Sequence, residues 1–451
     1  MRVLVVGLAV TGEAVVRHRR LAGDDVTVVE DRPEGASDWD ERASRARDLG
    51  ADVVAAPTTE HVAALAAAAD LVVPSPGVPE RHAAIAAARR HGVPVRSEID
   101  LAGDVTDGPA IVAVTGTNGK TTVTTLTAAI LEAAGVRSVA AGNIGRPLID
   151  AVHDDVDVVV AEVSSFQLAF ADRFAPRAAA LLNLGADHLD WHRTFDGYAH
   201  AKAKVFLRQG PDDLLVFNAD DPVVVGLAAS APGRRVPFSL ADGAAGGARL
   251  VDTATGRLLV MANGEEIVAA DDLPCHRPVD LANALAASAL ALDVGADAAA
   301  ARDALEAFGG LAHRMELVAV HDGVRWVDDS KATNVHATVS AVRGLEHVVL
   351  IAGGRNKGID LSELRILTPS LRGVVAIGDA AAEVDEAFAG SVPVVRAASM
   401  HTAVRAASEL ATDGDTVLLS PGCASFDWYA SYAARGDDFA TEVRQLAEVE
   451  R

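Results

Sequence analysis

The chain has 451 residues, half of them hydrophobic and only 4% aromatic, so Ala, Val and Leu must fill its interior. That length exceeds one ordinary core and suggests about three domains. The net charge of −23 excludes a general attraction to nucleic acid or anionic membrane, so cationic contacts to any anionic substrate must be local.

The first segment opens with Val3-Leu4-Val5-Val6, a glycine turn Gly7-Leu8-Ala9-Val10-Thr11-Gly12, and an apolar-periodic stretch. A continuous apolar run entering glycines and then a helix is a buried parallel strand of a βαβ unit. Val26-Thr27-Val28-Val29, ending in Glu30-Asp31-Arg32, and Asp70-Leu71-Val72-Val73, ending in a Pro/Gly turn, repeat the pattern. The alanine run 63–69 reads as helix, since Ala loses no side-chain entropy there. Residues 1–96 are therefore expected to form a Rossmann-like domain. The turn departs from the dinucleotide fingerprint at Ala9, so it is weak evidence for NAD. A nucleotide-bearing ligand at the strand ends fits better.

A central domain, residues 97–311, is expected to begin with strand 111–114 and to continue through strands at 156–163, 178–183 and 214–218. Between Asp242 and Ala270, Arg249-Leu250-Val251, Leu258-Leu259-Val260 and the turn signal Asn263-Gly264 predict a small β excursion. Residues 312–451 alternate strands at 325–327, 348–352, 374–377 and 417–420 with helical patterns, a third α/β unit. Cys275 and Cys423 make no disulfide framework. No signal-peptide pattern opens the chain and no apolar run spans a bilayer, so a cytoplasmic enzyme is expected, a monomer with no membrane or nucleic-acid partner.

The strongest local signal is Thr115-Gly116-Thr117-Asn118-Gly119-Lys120-Thr121-Thr122, which follows a buried strand and precedes a helical face of Val123, Leu126 and Ile130. Glycines let several backbone N–H groups point at one anion, and the helix N-terminus adds favourable partial charge. Lys120 neutralises β/γ-phosphates and Thr121 can hold Mg²⁺. Val114 stands where the strict pattern has glycine, so the loop is a variant. The bland alternative is a strand-loop-helix corner with an incidental Gly-Lys-Thr. This form of loop resembles the ATP loop of the Mur ligases and of their relatives the folylpolyglutamate synthases. The resemblance implies carboxylate activation by ATP, with Gly116, Thr117, Asn118, Gly119, Lys120, Thr121 and Thr122 at the nucleotide.

Downstream, Glu162 ends an apolar strand, read as the second of the central sheet, in Glu162-Val163-Ser164-Ser165-Phe166-Gln167-Leu168. A carboxylate there can meet a metal or merely face solvent. In the Mur ligases this run carries a magnesium-binding glutamate. His188, in Asn183-Leu184-Gly185-Ala186-Asp187-His188-Leu189-Asp190, reads physically as a structural or acid/base histidine, because imidazole is a poor choice for a hard ion. The resemblance instead implies a second magnesium site there. Lys202 shares a helical stripe with Tyr198, Ala201 and Val205, whereas Lys204 points nearly opposite. An inward lysine must be paired or lose its charge; it can also snorkel to water or bind phosphate. In the family this lysine is carbamylated and helps to organise the metal.

Asn283 resembles a family asparagine near the adenine, although Asp280 stands where a second one is frequent. His313-Arg314-Met315-Glu316 resembles a junction motif whose arginine reaches the ATP phosphates; without the family context Arg314 is a surface ion pair. Asp328-Asp329-Ser330-Lys331-Ala332-Thr333-Asn334 resembles the D-S-K-A-T-N run of the D-glutamate-adding members, and the D-N-P-R run of the diaminopimelate-adding members is absent. This implies Asp329 at the ATP and Lys331, Thr333, Lys357, Ser425 and Tyr432 at D-glutamate, a dianion that needs cations and hydroxyl donors. Val10, Thr11, Asp31, Arg32, Gly77 and Asn143 match positions holding the UDP-sugar substrate. Cys423 reads as a packed small residue.

The resemblance spans essentially the whole chain, with its motifs in family order. It implies an acid–D-amino-acid ligase of peptidoglycan synthesis that joins D-glutamate to UDP-N-acetylmuramoyl-L-alanine through an acyl phosphate. ATP and two Mg²⁺ ions, with Mn²⁺ as an alternative, would serve it, and domain closure would exclude water. A folylpolyglutamate synthase shares the loop but needs neither the first domain nor the S-K-A-T-N run. A nucleotide-regulated binding protein without turnover has no reason to keep Lys120, Glu162, His188 and Lys202.

Overall fold

The apolar runs fold, in a computed structural model, into three sheets, and residues 1–32, 39–241, 246–254 and 256–449 are described, the side chains of 447–449 excepted. The first sheet holds β1 (Arg2–Val6), β2 (Asp25–Glu30), β3 (Asp52–Ala55) and β4 (Leu71–Pro74) in the order β3-β2-β1-β4, all parallel. Its glycine turn is sterically required. A Cβ on Gly12 would lie 2.2 Å from the Gly7 carbonyl oxygen, so the helix Val10–Leu21 can pack this closely only on glycine.

The second sheet holds β5 (Ala110–Thr115), β6 (Ser138–Gly142), β7 (Val158–Glu162), β8 (Ala178–Leu181), β9 (Leu214–Asn218), β10 (Arg234–Ser239), β11 (Ala248–Thr253), β12 (Gly256–Val260) and β13 (Glu266–Ala269). Their order is β13-β12-β11-β10-β9-β8-β5-β7-β6. The strands from β5 to β11 are parallel, and β11, β12 and β13 form the antiparallel excursion, with Gly264 at φ +86 in the turn between β12 and β13. From β5 the chain leaves for β6 and β7 on one side and then crosses to β8 on the other. The loop after β5 therefore lies at a topological switch point, where open α/β sheets bind ligands.

The third sheet holds β14 (Glu316–His321), β15 (Val324–Asp328), β16 (Val348–Gly353), β17 (Leu371–Ile377), β18 (Val394–Arg396) and β19 (Thr416–Gly422), ordered β14-β15-β19-β16-β17-β18 with only β14 antiparallel. β3, β6, β10, β14 and β18 have no counterpart among the strands expected from sequence. β3, β6, β14 and β18 are edge strands and β10 opens with the exposed Arg234 and Arg235, so none has the continuous apolar run that marks a strand buried on both faces. Because β6 precedes β7, Glu162 ends the third strand of the central sheet in chain order, not the second.

Contacts divide the chain into two units: Met1–Leu184 with Asp196–Phe308, and Gly185–Phe195 with Gly309–Arg451. The first unit holds the first two sheets, tied at residues 96–104. Asp100, fully buried, accepts the backbone N–H groups of Asp172, Arg173 and Phe174 and pairs with Arg96 at 2.8 Å. The second unit holds the third sheet and the Asp187-His188 segment.

Candidate active site

In the first unit the loop after β5 runs into the helix Lys120–Ala133, with Gly119 as its N-cap at φ +84. Asn183, which the sequence places in a motif without assigning it a task, braces this loop. Its carbonyl accepts from Thr117 N, its side-chain Oδ1 accepts from Asn118 N at 2.8 Å, and its Nδ2 donates to Asn118 O at 3.1 Å. Lys120 folds back, its Nζ donating to Gly116 O at 2.9 Å and Thr117 O at 2.8 Å. Asn283 stands against Gly119, where a Cβ would come within 2.6 Å of its Oδ1. Asp280 does not join it at the loop. It closes the N-terminus of the helix Pro278–Asp293 and pairs with Arg277 at 2.7 Å.

Glu162 is the hub. Register sets it beside Val114 on β5 and Gly142 on β6. Its Oε2 accepts from Thr121 Oγ1 at 2.7 Å and its Oε1 from Asn143 Nδ2 at 2.8 Å, while its carbonyl accepts from Asn143 N. A carboxylate and a hydroxyl oxygen this close are a hard donor set, suited to Mg²⁺ rather than to a soft metal. Thr122 follows on the same helix. Lys202 is 2% exposed, with its Nζ donating to Gly116 O at 2.8 Å and lying 4.9 Å from the Tyr198 ring centroid. The inward stripe is real, and it leads to the back of the phosphate loop. Tyr198 extends the contact through its hydroxyl, 2.9 Å from Thr117 Oγ1. Lys204 faces away but is not free in water, since its Nζ donates to Ala169 O and burial lowers its pKa.

Of the residues expected at the UDP-sugar, all but Asn143, which follows β6 of the second sheet, cluster at the carboxyl ends of the first sheet's strands. Val10 and Thr11 open the helix after β1, Asp31 and Arg32 follow β2, and Gly77, at φ +93, follows β4. Glu30 organises them: it accepts from Leu8 N at 2.9 Å and pairs with Arg32 at 3.2 Å. Burial pushes the Glu30 carboxyl up, but the Arg32 guanidinium and the two backbone donors outweigh it and hold the pKa below the usual range. His82 meets Asp31 at 3.2 Å.

In the second unit, Asp187 is the shared acceptor. Its Oδ1 takes His188 N at 2.9 Å and Lys357 Nζ at 3.3 Å, and its Oδ2 takes Asn334 Nδ2 at 3.1 Å. His188 itself sits at φ +53. Asp329 accepts from Ser420 Oγ at 2.8 Å and Met315 N at 3.3 Å, which fixes the chain beside Arg314. Lys331 Nζ lies 3.8 Å from the Tyr432 ring centroid. Paired backbone bonds between Arg355 and Ala424 bring the loops of Lys357 and Ser425 side by side, and Thr333 adjoins Asn334.

Sequence reasoning missed the residue that joins these runs. Arg435 is 1% exposed, and its guanidinium donates to Ser330 Oγ and O and to Cys423 O. Burial lowers its pKa to about 10. In sequence it stands in the polar stretch Arg435-Gly436-Asp437-Asp438, indistinguishable from a solvated helix face. Asp328 was likewise unassigned. It meets His313 Nδ1 at 2.7 Å, and burial raises its pKa against the His313 hydrogen bond.

Residues 1–97 match the Mur ligase MurD-like N-terminal domain, residues 114–291 the Mur ligase middle domain, and residues 313–423 the Mur ligase glutamate ligase domain. A UDP-N-acetylmuramoylalanine–D-glutamate ligase of Frankia casuarinae is 46% identical, covering 98% of this chain and 93% of its own. One of Methylococcus capsulatus is 42% identical, covering 99% and 95%. The crystal structure of MurF ligase from Thermotoga maritima in complex with ADP superposes with a TM-score of 0.60 at 15% identity, over 99% of this chain and 95% of that one, a similarity of fold alone. The chain belongs to the Mur ligase family, among the UDP-N-acetylmuramoylalanine–D-glutamate ligases.

Proposed function

We propose that this chain joins D-glutamate to UDP-N-acetylmuramoyl-L-alanine at the expense of ATP, a step of peptidoglycan synthesis. The observation that carries the reading is the loop after β5 with Lys120, set beside the Thr121–Glu162 pair at the sheet's switch point. The alanyl carboxylate attacks the γ-phosphorus of ATP, giving an acyl phosphate and ADP. The D-glutamate amine attacks the acyl carbon, phosphate departs, and the nitrogen loses its proton to leave the amide.

The residues divide by task. Residues 116–122 take the phosphates through the backbone N–H groups that Asn183 does not hold and through the helix N-terminus, and Lys120 exchanges its two carbonyl bonds for phosphate oxygens. Asn283 serves the adenine, and Arg314 and Asp329 the nucleotide. Val10, Thr11, Asp31, Arg32, Gly77 and Asn143 hold the UDP-sugar. Lys331, Thr333, Lys357, Ser425 and Tyr432 hold D-glutamate, whose carboxylates need just such cations and hydroxyls.

Thr121 and Glu162 would hold Mg²⁺, which supplies charge neutralisation at the transferring phosphoryl group; Mn²⁺ is an alternative. Two ions belong to the proposal, with His188 as a further ligand. Lys202, buried behind the phosphate loop, is proposed to carry a carbamate. The division 1–96, 97–311 and 312–451, a monomeric state and a cytoplasmic location complete the reading. Among the described residues no helix is long and apolar enough to cross a membrane.

The test is ADP release with each substrate omitted in turn. Release should require the UDP-sugar and D-glutamate together for turnover, and Lys120→Ala should abolish it. Equal turnover with L-lysine, a diaminopimelate or a folate acceptor would overturn the assignment.

A further inference from the structure

We propose that Glu98 is a positioning residue for the ligation: its carboxylate fastens together the two arms of the chain that carry Asn143 and Glu162. The inference rests on the function proposed above and extends it to a residue that touches no substrate.

Glu98 is 1% exposed and opens the helix Glu98–Gly103, which follows the first sheet in the chain. Its Oε1 accepts from Gln167 Nε2 at 2.8 Å and its Oε2 from Ile149 N at 3.2 Å. Each partner ends one arm of the site. Gln167 Oε1 accepts from both Ser164 N and Ser164 Oγ at 2.8 Å, closing the capping box two residues beyond Glu162. Ser164 N can only donate, so the Gln167 amide has one orientation, with its NH₂ toward Glu98. Ile149 lies in the short helix Leu148–Ala151, which ends the turn from Gly142 and Asn143.

The two arms meet again at the other end. Glu162 accepts the Asn143 side chain, and Gly142 is pressed so close that a Cβ would lie 2.3 Å from Glu162 O. Asn143, Glu162, Ser164, Gln167, Glu98 and Ile149 thus form a closed ring of contacts. Without the Glu98 clasp, the hydrogen bonds that tie the two arms among the described residues are those of Asn143 with Glu162, at the end where the substrate and metal oxygens must also bind.

Both Glu98 partners are donors, so the ionised carboxylate is the form that satisfies them. Burial pushes the Glu98 carboxyl up to about 7; the Gln167 and Ile149 hydrogen bonds oppose that rise and the Asp150 carboxylate adds to it. Asp150 is itself paired with Arg17 at 2.7 Å. The clasp therefore closes as the pH rises through neutrality.

Glu98→Gln keeps the shape but turns an NH₂ toward one of the two donors. The variant should lose about 10- to 100-fold in kcat/KM for the UDP-sugar, the usual consequence of a small misplacement, with KM for ATP within about threefold of wild type. Wild type should lose kcat/KM as the pH falls below about 7, and that limb should be missing from the Glu98→Gln profile. The double variant Glu98→Gln/Gln167→Glu restores every donor–acceptor pair, since the new carboxylate can accept from Ser164 and from the new amide, and it should recover most of the activity. Should Glu98→Gln fail to fold, the double variant carries the test: folded and active where the Gln167→Glu single variant is impaired, it supports the clasp. Wild-type kinetics and pH profile in a folded Glu98→Gln enzyme, or a double variant no better than the single one, would overturn it. A wild-type protein that releases no ADP with D-glutamate defeats the ligase reading and this inference together.

Discussion

Gly119 and Asn283 meet at the phosphate loop, and a double-mutant cycle measures that meeting. Gly119 has φ +84, where alanine costs about 1–2 kcal/mol over glycine. The added Cβ would also lie 2.6 Å from Asn283 Oδ1 and 3.2 Å from Leu182 Cδ1. Leu182 can yield by a few tenths of an ångström. Asn283, 7% exposed, must leave its rotamer, at about 1 kcal/mol. Gly119→Ala should therefore destabilise the folded chain by about 2–3 kcal/mol in wild type but by only about 1–2 kcal/mol in an Asn283→Ala background, where the clash is gone. The coupling of about 1 kcal/mol exceeds the roughly 0.3–0.5 kcal/mol scatter of independent sites. Urea unfolding of the four proteins reads the cycle, and calorimetric titration with ATP reads its consequence. Displacing Asn283 should weaken ATP about 3- to 10-fold, the worth of about one hydrogen bond. Additive stabilities, or ATP affinity untouched by Gly119→Ala, would refute the assigned packing of Asn283 on the loop.

Asp187→Ala removes the acceptor shared by Asn334 and Lys357, and should lower stability by about 1–3 kcal/mol and raise KM for D-glutamate; urea midpoints and initial rates measure both. Because the folded Glu98 carboxyl is raised from 4.5 to about 7, the native state holds that proton more tightly than the unfolded chain. Its contribution is largest below about pH 4.5, falls as pH rises toward 7, and is level above. That is a loss of about 3 kcal/mol, which Glu98→Gln should abolish when unfolding is compared at pH 5 and pH 8. Cys423 is 2% exposed and burial pushes its thiol up to about 12, so iodoacetamide at pH 8 should leave it unmodified until the protein is unfolded, as peptide mass mapping will show.

The strands buried on both faces are written in consecutive apolar residues, and the phosphate loop in consecutive glycines, Lys120 and Thr121. Such features announce themselves because the physics that demands them acts over one short window of chain. Lys202 was legible for a related reason, since a single helical stripe with Tyr198 and Val205 shows that it faces inward. The edge strands β3, β6, β14 and β18, and the inner strand β10 with its leading Arg234 and Arg235, left no such trace, because partly covered strands tolerate mixed residues. Glu98, Asn183, Asp187 and Arg435 stayed silent for a deeper reason. The partners that make a buried carboxylate or guanidinium tolerable lie dozens of residues away, from Glu98 to Gln167 and from Arg435 to Ser330. A buried charge becomes a clasp only when folding delivers its counterpart, and no local pattern records that distance.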